Sequence, residues 1–222
     1  MSSRSTHDGE KTRILMVDDH PIVREGMALF LNAQPDLHLC CEAANAEDAM
    51  KELARCNPAL AIVDISLQKE SGLDLIKLMR RRAPGLAILA MSLHDETIFA
   101  ERALRAGANG YLMKHEATAN ILAAVRLVLS GGIYLSEAMH LRLAQKVATP
   151  SGSTATPIAG LSPREFEILH LIGLGFGTRQ ISEKLNRSIK TIEAHRASLK
   201  EKLQLKSGAD LVRFASQWTE ER

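Results

Sequence analysis

Short apolar segments and amphipathic helical segments alternate five times between about residues 12 and 130. The apolar segments are too short for helices and are expected as strands at 14–17, 37–43, 60–63, 87–91 and 111–113. The helical segments are 22–33, 46–55, 73–82, 97–106 and 118–130. Since strand–helix–strand connections within one sheet are right-handed, this alternation predicts a parallel five-stranded (βα)5 sheet with helices on both faces. We expect an α/β domain with the strand order 2-1-3-4-5.

The last part of the chain shows no strand pattern and predicts an all-α domain of four helices. Ser162, Pro163 and Glu165 form the pattern of a capped helix start. Further helices are expected at 178–185, 188–203 and 208–218, the first two of them capped by Thr178 and Ser188. A chain of 222 residues is long enough to build both domains.

A polar segment separates the two patterns. Of the thirteen residues from Ala148 to Gly160, seven are Ser, Thr or Gly and two are Pro. Such a segment lacks the apolar content to pack and is typical of a linker. The expected organisation is a disordered N-terminus (1–11), the α/β domain (12–132), a linker with a short helix (133–160) and the helical domain (161–222).

The charges are divided unevenly, although the net charge is only +2. Residues 1–135 hold 15 basic and 17 acidic side chains, whereas residues 178–206 hold eight basic and three acidic ones. The local positive excess is typical of a surface that binds a polyanion. Three cysteines without a C-x-x-C pair, and no long apolar run, favour a cytoplasmic protein with reduced thiols and no membrane segment.

Polar residues stand at the carboxyl ends of the predicted strands, where open parallel sheets bind ligands. Asp18 and Asp19 follow the first strand, and Asp64 closes the third. Ser92 and Lys114 close the fourth and fifth strands. Carboxylates that converge raise one another's pKa unless a cation lies among them, and Mg²⁺ suits an oxygen site of this kind.

This set of residues fits phosphoryl transfer to a carboxylate. Asp64 is expected to be the nucleophile that forms an aspartyl phosphate, while Asp18 and Asp19 hold Mg²⁺. Lys114 is expected to neutralise the phosphoryl oxygens, and Ser92 to donate a hydrogen bond to one of them.

The basic segment predicts a helix-turn-helix in which one helix crosses the DNA backbone and the next enters the major groove. On the second helix, Ile192, Leu199 and Leu203 fall at core spacing. The polar residues placed largely on the other face or at the helix start, where they can reach phosphates and base edges, are Ser188, Lys190, Thr191, Glu193, Arg196 and Lys200.

Five motifs resemble the receiver domain of two-component response regulators over about residues 12–130. They are V-D-D-H-P (17–21), V-D-I-S (63–66), S-G-L-D-L (71–75), A-M-S (90–92) and G-Y-L-M-K (110–114). The resemblance implies that Asp64 accepts a phosphoryl group from a sensor histidine kinase, and that Ser66 lends Mg²⁺ its backbone carbonyl. It also implies a phosphate-sensing switch formed by Ser92, Tyr111 and Lys114. The protein is then no enzyme beyond its own phosphorylation and dephosphorylation.

Two positions depart from the usual receiver pattern. Gln68 stands where the family usually has Pro four residues past the phosphorylated Asp, and His115 stands where many members have Pro after the Lys. Neither change removes a reacting group. His20 and His94 flank the site and are expected at cap or rim positions.

A second resemblance covers about residues 158–220 and is to the LuxR-type helix-turn-helix. It rests on L-S-P-R-E (161–165), I-S-E-K-L (181–185) and S-I-K-T-I-E-A-H-R (188–196). Together the two resemblances imply a NarL/FixJ-type transcriptional regulator that binds double-stranded DNA as a homodimer, with 208–218 in the dimer interface. The expected DNA-binding residues are Thr178, Arg179, Ser188, Lys190, Thr191, Glu193, His195, Arg196 and Lys200.

Three alternatives remain open from the sequence. A Mg²⁺-dependent phosphatase with an Asp nucleophile needs a second Asp two residues further on, where this chain has Ser66. A regulator with a small-molecule sensor domain needs clustered aromatic residues, which make up only 4% here. A receiver that works without phosphorylation is supported only by Gln68.

Overall fold

The computed structural model describes residues 11–67, 71–93, 96–148, 157–185 and 187–220. They fall into two compact units that divide between residues 148 and 149. The expected disordered N-terminus, except for Lys11, lies outside the described residues, as do Gln68, His94 and the linker residues 149–156.

The first unit contains the predicted parallel sheet. Its strands are β1 (Thr12–Val17), β2 (Leu37–Ala43), β3 (Leu60–Asp64), β4 (Ala87–Ser92) and β5 (Gly110–Met113). Their order is β2-β1-β3-β4-β5, with every neighbouring pair parallel, so the predicted topology is confirmed. All five residues of β3 are buried, because this central strand is covered on both faces.

Helices follow the strands as predicted, with boundaries that shift by one residue or so. They are α1 (Pro21–Asn32), α2 (Ala46–Cys56), α3 (Gly72–Arg82), α4 (Glu96–Ala106) and α5 (Ala117–Leu129), and the short helix expected in the linker, α6 (Glu137–Ala148), comes after α5. Aliphatic side chains of the sheet pack against α5, which contributes Ile121 and Val125 to the same core.

The segment after α5 packs on the first unit. The backbone N–H of Tyr111 donates to the carbonyl of Tyr134 over 2.8 Å, and the N–H of Ser136 donates to the Glu96 carboxylate over 2.8 Å. The segment expected as a linker, 133–160, therefore begins with residues that pair with β5 and α4.

In its described part, the second unit contains no strand, one short 3-10 helix (Pro157–Gly160) and four α-helices. They are α7 (Pro163–Gly173), α8 (Thr178–Lys184), α9 (Ile189–Lys202) and α10 (Gly208–Glu220). Ile192, Leu199 and Leu203 are buried, as their spacing predicts. The ring of Trp218 packs edge-on against Phe166, with the ring centroids 4.9 Å apart.

One predicted cap is wrong. Gly177, not Thr178, is the N-cap of α8, because Gly177 has the extended backbone of a cap and Thr178 is already helical. The Gln180 side chain accepts a hydrogen bond from the Gly177 N–H at 2.9 Å. The caps predicted at Ser162 and Ser188 are both present.

None of the helices in the described part of the chain is long and apolar enough to cross a membrane.

Candidate functional site

The acidic residues meet at the carboxyl ends of β1 and β3. These strands are neighbours, with Val17 paired to Val63, so the residues that follow them lie at the same edge of the sheet. Asp64 is the last residue of β3, and Asp18 comes directly after β1. Their side chains are 1% and 0% exposed.

Lys114, directly after β5, bridges both carboxylates. Its Nζ donates to Asp18 Oδ2 at 2.6 Å and to Asp64 Oδ2 at 2.8 Å, and its side chain is only 11% exposed. Burial lowers the pKa of Lys114, but the charges of Asp64 and Asp18 outweigh that effect and raise it above the ordinary value. Lys114 is therefore a cation in the site at neutral pH.

Asp64 has a different environment on each oxygen. Oδ2 accepts the hydrogen bond from Lys114, and Oδ1 accepts one of 2.8 Å from the backbone N–H of Ser66. Burial raises the pKa of Asp64, Lys114 opposes this effect, and the neighbouring Asp18 reinforces it. The carboxylate is held in one orientation by the loop that follows β3.

Asp18 is tied to the start of α1. Its Oδ1 accepts from the backbone N–H of His20 at 2.9 Å and lies 3.2 Å from His20 Nδ1, and its carbonyl accepts from Arg24 at 2.7 Å. His20 occupies the N-cap position of α1, in agreement with the cap or rim position expected for it. Arg24 was not predicted from the sequence to lie at the site.

Asp19 is the exceptional carboxylate of the cluster. Both of its oxygens are buried, and neither has a hydrogen-bond partner. His20 Nδ1 lies 3.0 Å from Oδ1, but not in hydrogen-bonding geometry. A buried carboxylate without a partner is costly, which makes it a natural ligand for a cation.

The donor set fits a hard divalent cation. One ligand atom from each of Asp18, Asp19, His20 and Asp64 can be chosen so that all lie within 4.8 Å of one another. Carboxylate oxygens are the ligands that Mg²⁺ prefers. The two unpartnered Asp19 oxygens supply the free acceptors that such an ion needs.

Ser92 and Tyr111 lie beside this cluster on β4 and β5. Ser92 is fully buried, and its Oγ is 3.4 Å from Ser66 Oγ. Tyr111 is 1% exposed and pairs with Ala90 in the sheet. The hydroxyl expected to sense a phosphoryl group is thus close to Ser66, in the loop that directly follows Asp64.

Gly72 is a residue of the site to which the sequence analysis gave no role. A Cβ on Gly72 would lie 2.2 Å from the carbonyl oxygen of Asp64 and 2.5 Å from Cα of Ile65. Only glycine lets the start of α3 approach the backbone that carries Asp64 this closely. The S-G-L-D-L motif contained this signal, but its meaning depends on the tertiary contact.

In the second unit, α9 presents the predicted polar residues. Ser188 accepts from the Thr191 N–H at 3.1 Å, and the two hydroxyls are 2.8 Å apart. Lys190 and Glu193 are exposed. The remaining predicted residues of α9 are half-buried, and they are Thr191, His195, Arg196 and Lys200.

Burial also affects two of these side chains electrostatically. It lowers the pKa of His195, with Arg164 and Lys202 adding to the effect and Glu165 opposing it. It lowers the pKa of Arg196 from its very high ordinary value. On α8, Thr178 is half-buried, whereas Arg179 is exposed and pairs with Glu183 at 3.2 Å.

Glu165 joins α7 to α9. It closes the predicted capping box by accepting from the Ser162 N–H at 2.7 Å, and it also accepts from Ser198 Oγ at 2.6 Å and Lys202 Nζ at 2.7 Å. Burial raises the pKa of Glu165, but the hydrogen bonds from Lys202, Ser198 and Ser162 outweigh it and lower the pKa to about 2. The sequence predicted the cap but not the tie to α9.

Comparisons with known protein families agree with this division. The response regulator receiver domain family matches residues 14–126, and the family described as bacterial regulatory proteins, luxR family, matches residues 159–215.

Individual relatives match nearly the whole chain. The oxygen regulatory protein NreC of Staphylococcus carnosus is 36% identical over 208 residues, which cover 91% of this chain and 96% of NreC. Two solved structures are each 26% identical to this chain. RcsB of Salmonella enterica serovar Typhimurium, bound to promoter P1flhDC with the phosphomimetic BeF3⁻, matches with a TM-score of 0.55 over 95% of this chain and 100% of that chain. A structure of two RcsB dimers bound to two parallel DNAs matches with a TM-score of 0.56 over 93% of this chain and 98% of that chain.

Proposed function

Because this chain belongs to the two-component response regulators, with a receiver domain followed by a luxR-family DNA-binding domain, we propose that phosphorylation of Asp64 controls its binding to promoter DNA. We assign residues 12–132 to the receiver, 133–160 to the connection and 161–222 to DNA binding. The observation that carries the proposal is the buried Asp64 carboxylate, which lies between a lysine and two further aspartates.

In the proposed reaction, an oxygen of Asp64 attacks the phosphorus of the phosphorylated histidine of a sensor kinase. The new P–O bond replaces the P–N bond, and the histidine nitrogen leaves. Lys114 is already within hydrogen-bond distance of the reacting carboxylate. The same site then catalyses hydrolysis of its own acyl phosphate, and no external substrate is turned over.

Asp18, Asp19, Asp64 and the carbonyl of Ser66 would hold Mg²⁺. The ion supplies positive charge that offsets the charge on the phosphoryl oxygens in the transition state. The unpartnered oxygens of Asp19 support this assignment.

Ser92, Tyr111 and Lys114 are proposed to detect the phosphoryl group. Ser92 Oγ and Lys114 Nζ are donors at the edge of the sheet that carries Asp64, and Tyr111 lies on β5 beside β4. A hydrogen bond from Ser92 to the phosphoryl group would favour one arrangement of β4 and β5 over another, which shifts a pre-existing equilibrium.

The proposed output is a homodimer on double-stranded DNA in the cytoplasm, where the kinase's phosphoryl donor domain and the DNA are both found. α9 is proposed to enter the major groove and α8 to cross the backbone. The contacting residues we propose are Thr178, Arg179, Ser188, Lys190, Thr191, Glu193, His195, Arg196 and Lys200. The exposed positions of Lys190, Glu193 and Arg179 support this assignment.

Phosphate uptake by the purified protein tests the first half of the proposal. With acetyl phosphate and Mg²⁺, the wild type should gain the mass of one phosphoryl group, and Asp64→Asn should gain none. Asp74→Asn, which alters an exposed carboxylate on α3, is the matched control and should behave as wild type. Uptake by Asp64→Asn would reject the assignment, and a wild type that binds its DNA without any uptake would favour a phosphorylation-independent receiver.

Salt-dependent DNA binding tests the second half. Lys190→Ala and Arg196→Ala should weaken binding and reduce the slope of log K against log salt by about 0.9 for each DNA phosphate that is no longer neutralised. Lys51→Ala removes an exposed cation of the receiver and should leave the slope unchanged. Equal binding by all three variants and the wild type would contradict the role of α9.

A further inference from the structure

All three cysteines of the chain lie together, in a cluster separate from the acidic site. Cys40 and Cys41 are on β2 and Cys56 ends α2. Their sulfur atoms all lie within 4.8 Å of one another, and Cys40 Sγ is 3.3 Å from Cys41 Sγ. Nothing in the proposed phosphorylation chemistry uses these residues.

A β-bulge brings the two adjacent thiols together. Ile14 of β1 pairs with Leu39, but Leu15 pairs with Cys41, so Cys40 is an extra residue in β2. Consecutive residues of a regular strand point to opposite faces, and a bulge is the feature that re-aims a side chain. The irregular register therefore accounts for the two neighbouring sulfur atoms on β2.

The third thiol comes from the helix that packs on this part of the sheet. Cys56 is the last residue of α2 and is 3% exposed. Asn57 follows it in the left-handed conformation, with φ of 43°, and ends the helix there. The cluster thus joins two elements, which distinguishes it from a pair of cysteines that are merely adjacent in the chain.

The surroundings of Cys41 favour its thiol over its thiolate. Burial and hydrogen bonds with Cys56 and Cys40 raise the pKa of Cys41 far above the ordinary value. Cys40 Sγ donates to the carbonyl of Ile14 at 3.4 Å, and Cys56 Sγ donates to Glu52 at 3.3 Å. Neutral thiols can be buried at low cost, and each thiol carries a proton that a soft cation can displace.

We propose that Cys40, Cys41 and Cys56 form a three-sulfur site for one soft, thiophilic monovalent cation of the copper(I) class. Thiolate sulfur is a soft ligand that selects such ions over Mg²⁺, which takes oxygen ligands. Binding releases thiol protons to solvent, and no electron is transferred, because the ion enters and remains in the monovalent state. The receiver would then carry a hard-metal site at one end of β1 and β3 and a soft-metal site against β2.

Anaerobic titration of the reduced full-length protein with Cu(I), in competition with a coloured Cu(I) chelator such as bathocuproine disulfonate, tests the proposal. The wild type should withdraw one equivalent per chain, and X-ray absorption of the complex should show sulfur ligands. Cys40→Ala, Cys41→Ala and Cys56→Ala should each lower the affinity by at least about tenfold, the smallest loss usual even for residues that only support a metal ligand.

A matched control and a folding check complete the test. His38→Gln removes an exposed imidazole from the same strand and should leave Cu(I) binding unchanged. Circular dichroism and thermal unfolding check that each variant is folded, and the half-buried Cys40 is the substitution least disruptive to the core. The proposal would be overturned if the wild type took no Cu(I) from the chelator. It would also be overturned if the folded cysteine variants bound Cu(I) as tightly as the wild type.

Discussion

Lys114 Nζ lies 2.8 Å from Asp64 Oδ2 and 2.6 Å from Asp18 Oδ2, so one buried cation joins two carboxylates that stand 46 residues apart in the chain. Both carboxylates are almost completely removed from solvent. The positive charge of Lys114 therefore compensates the two buried negative charges, and a cation bound beside Asp19 would add to this compensation.

Lys114→Met should destabilise the protein by about 3–5 kcal/mol at pH 7, because two buried carboxylates lose their counter-charge. Urea unfolding followed by circular dichroism measures the change, and added Mg²⁺ should recover part of it. Lys77→Met removes an exposed lysine that pairs with Asp74, and should cost no more than about 1 kcal/mol. If Lys114→Met were as stable as the wild type, the contacts of Lys114 with Asp18 and Asp64 would not stabilise the folded protein.

Asp19→Asn should have opposite effects on stability and on ion binding. Without Mg²⁺, the variant should be more stable by about 0.5–2 kcal/mol, because it removes a buried charge that has no hydrogen-bond partner. Its Mg²⁺ affinity, measured by calorimetry, should fall. Asp36→Asn, at an exposed ion pair with Arg126, is the control and should change neither quantity appreciably. Unchanged Mg²⁺ affinity in Asp19→Asn would remove this residue from the metal site.

Gly72→Ala and Gly26→Ala should change stability in opposite directions. At Gly72 the added methyl meets the backbone of Asp64 and Ile65, so the loop must shift and both stability and phosphate uptake should decrease. At Gly26, within α1, nothing lies within 4 Å of the added methyl. Alanine there should stabilise the helix by about 0.5–1 kcal/mol. Chemical unfolding and acetyl phosphate labelling of both variants check the prediction, which fails if Gly72→Ala matches wild type in both measurements.

Glu165 should make the DNA-binding unit sensitive to acid. Its pKa in the folded state, about 2, lies below the ordinary 4.5, so its stabilisation is present above about pH 5 and is lost as the pH falls towards 2. This pKa shift corresponds to a contribution of at most about 3 kcal/mol to the free energy of unfolding. Trp218, the single tryptophan of the chain, packs against Phe166 and reports the unfolding of this unit by fluorescence.

Glu165→Gln keeps an acceptor for the capping box but removes the charge that Lys202 and Ser198 contact. The variant should be less stable than wild type at pH 7, and the difference should shrink as both proteins are acidified. A constant difference between pH 7 and pH 3 would show that the charge of Glu165 is not its source.

The order of strands and helices could be predicted from the sequence because it depends on local patterns. Short apolar segments of three to seven residues, the caps at Ser162 and Ser188, and the acidic residues at the ends of β1 and β3 are all visible along the chain. The prediction of Thr178 as the N-cap of α8 was wrong because Gly177 and Thr178 are both suitable cap residues. The extended backbone of Gly177 decided between them.

What the sequence by itself determined was therefore the class of each element and the chemistry available at each strand end. Only the tertiary structure decided that Lys114 reaches Asp18 and Asp64, that Glu165 holds Lys202, and that a one-residue bulge places Cys40 beside Cys41. These contacts depend on strand order, register and helix packing. Such features arise from interactions between distant segments, and a local periodicity of 2 or 3.6 residues carries no information about them.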